Sequence, residues 1–312
     1  MLVARSGVAV SWIAATRKVA ARITRSGSVD LVNLDQLPVR SDGSLRPAGL
    51  ALPPARMPLI HDRRPLKRWT YVGIYGEELM LCAASVRVGG IPQCFWAVLD
   101  RASGEMIEQT AFSSRIVAVD DGHLSVSSRK AKIELALRPS GEPVEVVSRH
   151  GASYIWTRKL PVIASGTVIA GGREQRIECA GLIDATAGYH ARETSWSWSA
   201  GVGTGADGSA LVWNIVNGVH DAPASSERTV WLDGAAEELP AAEFPSGLSG
   251  VTFPGHGESL SFSAEAERAN SDDLKIFASD YRQPFGIFSG TLPGGVKLAS
   301  GFGVMERHSA RW

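Results

Sequence analysis

Residues able to do chemistry concentrate in one stretch, Gly188-Tyr-His-Ala-Arg-Glu-Thr-Ser-Trp-Ser-Trp-Ser-Ala-Gly201. It carries Tyr189, His190, Arg192, Glu193, Trp196 and Trp198. Trp196 and Trp198 are two apart, so on a strand they share a face, and the same alternation extends that face through Thr194, Arg192 and His190. Two indoles side by side form a flat apolar wall with N–H donors, which suits a ligand cavity. An arginine buried there needs a partner, and Glu193, Asp221, Glu227 or Glu306 could serve. Asn214, Asn217, His220 and Asp221 follow in the run Ala210–Asp221. A second set closes the chain, Gly301-Phe-Gly-Val-Met-Glu306-Arg-His308-Ser-Ala-Arg-Trp312, in which Glu306 and His308 share a strand face. A carboxyl in an apolar setting has its pKa raised and can act as a general acid beside a histidine. Polar pairs that merely close the end of a barrel would use the same residue types, and both readings stand at this level.

The common catalytic signatures do not apply. Gly203-Thr-Gly205-Ala-Asp-Gly208 fits the dinucleotide pattern in letters, but Ser-Ala-Leu-Val-Trp-Asn-Ile-Val follows it. That sequel is a strand, whereas the fingerprint requires a helix N-terminus at the pyrophosphate. The segment therefore reads as a hairpin loop. No phosphate-binding loop, zinc-protease motif or nucleophile elbow occurs. No histidine pair has metal spacing, so no cofactor, no metal and no nucleic-acid partner is expected.

The elements that must position these residues are strands. From Lys67 onward the pattern has period two: Trp69-Thr-Tyr71 alternates, Leu79–Val88 is an apolar run, Gly89-Gly90 turns, and Gln93–Leu99 follows. Short strands with glycine turns at this spacing mean a sandwich or barrel. An internal echo supports two such units. Trp69-Thr-Tyr71 parallels Trp196-Ser-Trp198, each followed by an apolar strand and then by an aromatic strand ending in an acid, Asp100 or Asp233. Residues 35–66 are proline-rich and predict an extended strap or the entry to the first sheet.

Net charge is zero, but residues 1–72 hold 12 Lys/Arg against 4 Asp/Glu, which leaves 20 against 28 in the remainder. Trp12, Ala15, Val19 and Ile23 recur at helical spacing among Arg17, Lys18, Arg22 and Arg25. This predicts a short basic amphipathic N-terminal helix, which could meet anionic membrane or the acidic body of the protein. No apolar run approaches the roughly 20 residues a bilayer span requires. Cys82, Cys94 and Cys179 form no CxxC pair and read as reduced thiols, which predicts a cytoplasmic protein that could associate with membrane through its basic segment. Composition leaves the oligomeric state open.

With those residues in view, the chain resembles a bacterial family, the domain of unknown function 2804. The resemblance rests on Lys67-Arg-Trp69-Thr-Tyr71, Gly188-Tyr-His-Ala-Arg-Glu-Thr-Ser-Trp196-Ser-Trp198, Gly286-Ile-Phe-Ser-Gly290 and Glu306-Arg-His308-Ser-Ala-Arg-Trp312, and spans roughly residues 35–312. In layout that family is similar to two-domain lipocalin-like proteins such as carotenoid hydratases and tocopherol cyclase. The resemblance implies an all-β chain of two consecutive lipocalin-like (calycin-like) barrels or strongly curved sheets, with an apolar ligand between or within them. The expected organisation is a basic segment at 1–34, a first barrel-like domain at 35–165 and a second at 166–312.

The expected function is to bind a lipid, isoprenoid or polyene in a Trp-lined barrel cavity, with cofactor-independent hydration or cyclisation of an alkene by a buried acid. Glu306, His308 and Glu193 are the candidate catalytic residues. Trp69, Tyr71, Tyr189, His190, Arg192, Trp196, Trp198 and Asn214 are the candidate ligand-binding residues. A non-catalytic lipid carrier or structural protein is the alternative, and carbohydrate binding a weaker one, since indoles also stack on sugars.

Overall fold

The computed structural model describes residues 34–273 and 278–311. The expected N-terminal helix lies outside the described residues. Its regular structure is almost wholly antiparallel strand, in two large sheets and one two-stranded ribbon. Among the described residues no helix is long and apolar enough to cross a membrane.

The two sheets repeat one plan. In the first, a meander of Lys67–Tyr75, Leu79–Val88, Ile91–Asp100 and Glu105–Ala111 forms one side. The first strand of that meander pairs on its other side with Arg173–Gly188, followed by Ser153–Ala170, Ala131–Pro139, His123–Ser127 and Val117–Val119. In the second, the meander is Glu193–Gly205, Ala210–Asn217, Thr229–Leu232 and Ala235–Glu238, and Glu193–Gly205 pairs in turn with Val296–Arg311, followed by Ala278–Leu292, Ser259–Asp273 and Gly250–Thr252. Trp69 and Trp196, the two ends of the internal echo, therefore lie on equivalent strands. The first sheet has one addition: Val144–His150 pairs with the start of Ser153–Ala170 and with Val39–Ser41.

The change of sheet falls between Gly188 and Glu193. The expected domain limit at 165/166 lies instead inside Ser153–Ala170, which Gly171-Gly172 turns into a long hairpin with Arg173–Gly188. Both strands pair along nearly their whole length, so the chain cannot leave the first sheet until the hairpin is complete.

Each sheet curls around a core of its own. The first bends until the short edge strand Val117–Val119 packs against Leu79–Val88 in its middle, closing over Leu81, Ala83, Trp96, Leu135, Val162 and Ile183. The second encloses Trp213, Ile215, Val251, Phe253, Phe288 and Met305. The remaining two faces press against each other along a seam. This explains the unbroken apolar run of Leu79–Ala84: Leu79, Leu81 and Ala83 enter the curl while Met80, Cys82 and Ala84 enter the seam. The edge-side strand Ala131–Pro139, by contrast, alternates buried and exposed residues, as a one-sided strand must.

The proline-rich strap covers the back of the first sheet, where Leu52, Met57 and Leu66 pack on Tyr154, Trp156 and Tyr189. Gly203–Gly208 is a hairpin connection, closed by Gly208 N–H to the Gly205 carbonyl. All three cysteines are free thiols.

Candidate functional site

The seam is where polar chemistry is buried. On the first sheet, register sets Lys159, Asp184, Tyr71, Ala84 and Phe95 in one row across five strands. A neighbouring row holds Thr157, Thr186, Trp69 and Val86. On the second sheet one row is Asn270, Tyr281, His308 and Trp196. The next runs from Arg268 opposite Gln283 to Glu306 opposite Trp198, joined by a Gln283–Glu306 hydrogen bond. Side chains of alternate residues share a face, so these rows meet across the seam.

Their meeting is aromatic at the rim and ionisable inside. The Trp69 and Trp196 rings are nearly parallel, 10° apart with centroids at 6.5 Å, and Tyr71 meets Trp198 edge-on at 5.4 Å. Both Trp69 and Trp196 are only partly buried, and His308 stands 4.4 Å from Trp196. Behind them Gly73 clears a path for Tyr75: a Cβ there would lie 2.0 Å from the Tyr75 hydroxyl, which reaches Tyr71 at 3.2 Å.

Glu306 is the centre of the inner group. Trp196 Nε1 donates to its Oε1 at 2.8 Å and Gln283 Nε2 to its Oε2 at 2.9 Å. Burial pushes its pKa up to about 7, with Asp184 adding to the rise, while the two N–H donors and Arg268 partly oppose it. Among the described residues no cation forms an ion pair with it. A protonated Glu306 would thus have both oxygens capped by donors and its own O–H still to place.

Arg268 is also buried. Its Nε donates to Glu108 at 2.7 Å and its Nη1 to Tyr281 at 3.3 Å, and the guanidinium lies 4.4 Å from the centre of the Phe95 ring. Burial works against its charge, but Tyr281, Cys82 and Glu108 keep its pKa above the usual value. On the far side Lys159 Nζ pairs with Asp184 at 2.7 Å and Glu227 at 3.3 Å. Asp184 is raised by burial, against the pull of Lys159.

The sequence candidates separate into three groups. Trp69, Tyr71, Trp196, Trp198, Glu306 and His308 come together at the seam. His190 lies beside them, its ring 5.2 Å from Trp69. Asn214 supports them from one layer back, accepting Trp198 Nε1–H at 2.8 Å and donating to the Glu227 carbonyl. Tyr189 faces the opposite side of the first sheet, where its hydroxyl donates to the Pro58 carbonyl, and Arg192 and Glu193 are exposed. The alternation predicted for His190 and Arg192 fails because the strand begins only at Glu193. The indoles also do not line the interior of their own barrel, as expected; the interior of the second curl is filled by Trp213, Phe288 and aliphatics. His308 bonds Ser279 Oγ at 3.0 Å rather than Glu306, and burial lowers its pKa to about 4.

Sequence reasoning missed Arg268, Gln283, Tyr281, Lys159 and Asp184. A signal existed for some of them. Asp184 interrupts Leu182-Ile183 and Gln283 precedes Pro284-Phe285, each a polar residue in an otherwise buried run.

The profile of the family described as Domain of unknown function (DUF2804) matches residues 113–312. The match takes in the whole second sheet but not Trp69 and Tyr71, which carried part of the expected resemblance. No curated protein matches the chain by sequence. Among solved structures, a Nitrosomonas europaea protein provisionally named AttH covers 83% of this chain and 97% of its own, with 15% identity and a TM-score of 0.51. Kievitone hydratase from Nectria haematococca covers 79% of this chain and 88% of its own, with 11% identity and a TM-score of 0.48. At such identity the first of these likenesses speaks for the fold alone.

Proposed function

The chain belongs to the DUF2804 family, and from that premise we propose that it binds an apolar, unsaturated small molecule between its two sheets and protonates a carbon–carbon double bond with Glu306. One observation carries the reading: Glu306 is a buried carboxyl with a pKa near 7, fixed by two neutral N–H donors at the foot of a partly exposed indole pair. A structural carboxylate would sit more cheaply in an ion pair or at the surface, because burial penalises its charge.

The chemistry balances without a cofactor. The Glu306 O–H delivers its proton to one alkene carbon and leaves a cation on the other. Water adds to that cation and returns a proton to the carboxylate, giving an alcohol. Attack by a second double bond instead closes a ring, and loss of a proton to Glu306 restores the acid. The faces of Trp69 and Trp196 stabilise the cation through their ring quadrupoles, and Trp196 and Gln283 hold the carboxylate in its charged interval.

Native mass spectrometry of purified protein exposed to a lipid extract tests this directly. Wild type should release a hydrated or cyclised product, whereas Glu306→Gln should retain the unchanged alkene. A ligand returned unchanged by both proteins would make the site that of a carrier. No retained ligand in either would overturn the reading.

A further inference from the structure

Next to Trp69 lies a second polar cluster that the proposed chemistry leaves unused. Ser148 and His150 are two apart on Val144–His150, so they extend the seam face of Val144 and Val146. His220 arrives from the loop after Ala210–Asn217, and His190 from the connection between the sheets. Ser148 Oγ and His220 Nδ1 are 2.6 Å apart, and the His150 and His190 rings are 5.8 Å apart. Since His190 also packs on Trp69, this cluster is continuous with the aromatic rim.

Two features set it apart from an ordinary buried cluster. His190 Nδ1 and His220 Nε2 are buried without a hydrogen-bond partner, in side chains 3% and 7% exposed. Leaving a buried polar atom unsatisfied costs about 1–3 kcal/mol each, so such atoms call for an explanation. His220 is moreover held at φ 54°, in the left-handed region that non-glycine residues seldom adopt. Strain of this kind gathers at ligand clamps.

The charges around His150 and His190 favour an anionic ligand. Apart from burial, every influence on His150 from a described residue is that of a cation, Arg64 or Lys67. At His190 the charges are likewise those of Lys67, His150 and His220, while the Gly188 backbone, within hydrogen-bonding reach of the ring, works the other way. At His220, Lys159 and His150 are set against Asp184 and Asp221. Rings in such a field stay neutral until an anion enters, and a protonated imidazole then donates from both nitrogens.

We propose that this cluster receives the carboxylate of an amphipathic ligand, with the free nitrogens of His190 and His220 donating to it while the unsaturated chain lies against Trp69 and Trp196. The assignment rests on the seam being the ligand site and deepens that reading by naming the substrate class, an unsaturated apolar acid.

Binding of oleic acid, methyl oleate and oleyl alcohol to the full-length protein tests it, by calorimetry at neutral pH. The acid should bind at least about tenfold more tightly than the ester, the worth of a charge-assisted hydrogen bond. His220→Gln and His190→Gln should each bring the acid-to-ester ratio towards one, and histidine 15N shifts should show a ring becoming protonated only when the acid binds. Two variants guard against one failing to fold. Equal binding of acid and ester by wild type would overturn the head-group assignment and leave the seam reading intact. Binding of none of the three would overturn both.

Discussion

The two kinds of core in this protein are built from different materials. Inside the first curl, Leu81, Leu124, Ile133, Leu135 and Val162 pack around Trp96, and the ionisable groups with them are the thiols of Cys94 and Cys179. In the seam, comparably buried positions hold Lys159, Asp184, Arg268, Gln283 and Glu306. The curl is what a domain needs in order to fold: apolar area removed from water and close packing. The seam pays for desolvated charge that well-packed apolar residues would avoid, since buried ion pairs often only break even against them. Two sheets could adhere through Met80, Leu99, Leu182 and Phe285 alone. The excess polarity is what supports the proposal of a site in the seam, since perturbed groups commonly cluster at functional sites.

The comparison can be tested by damaging each region. Lys159→Met leaves Asp184 and Glu227 buried together without their cation, and should cost about 4 kcal/mol in urea unfolding. Replacing all three with apolar residues of similar volume should recover most of that loss; failure to recover it would make the seam a structural necessity like the curl. Ile133→Ala, in the first curl, should cost about 3 kcal/mol through its cavity, with ligand retention per folded molecule unchanged. A change in retention would show that the two cores are coupled.

Glu306→Gln sharpens the contrast through pH. The folded pKa of about 7 lies above the ordinary 4.5, so between these values the folded protein binds a proton that the unfolded chain does not. The stability Glu306 contributes is therefore full below 4.5 and lost as pH rises through 7. Relative to the variant, wild type should lose on the order of 3 kcal/mol across that window, read from denaturant midpoints at pH 4.5 and 8. Turnover that depends on the protonated acid should fall over the same upper limb. Partly buried His308, with its pKa lowered to about 4, works in the opposite sense and is common to both proteins, so the difference isolates Glu306.

Smaller effects follow. Trp196→Phe removes the Nε1–H that favours the charged carboxylate, so the Glu306 pKa should rise further, at a cost of about 1 kcal/mol above neutral pH; a 13C carboxyl titration reads it. Glu193→Gln, at an exposed position, should move stability by less than about 0.5 kcal/mol and leave ligand retention alone. A larger effect would return Glu193 to the list of acids.

Much of the site was legible because strands have period two. That rule alone places Trp196 with Trp198 and Glu306 with His308, and the structure brings these four together at the seam. It failed for Arg192 because it was extended past the strand's start, where the chain between Gly188 and Glu193 crosses from one sheet to the other. It was silent on Arg268, which is 38 positions from Glu306 in sequence but one strand beyond Gln283 in the sheet. The indoles were expected inside a barrel because alternation identifies a buried face without saying what buries it.

The local order of the chain was determined by its sequence: glycine turns, alternating runs and the Trp69/Trp196 echo dictate antiparallel hairpins in two similar units, since these depend on neighbours a few residues apart. Which face curls inward, and which meets the other sheet, was decided only in the tertiary structure. Both faces of Leu79–Ala84 are apolar, so no pattern distinguishes them. The Trp69–Trp196 rim, the buried Glu306 and the three-histidine cluster exist only once the two sheets are pressed together, because each takes residues from segments far apart in the chain, and burial gives those residues their chemistry.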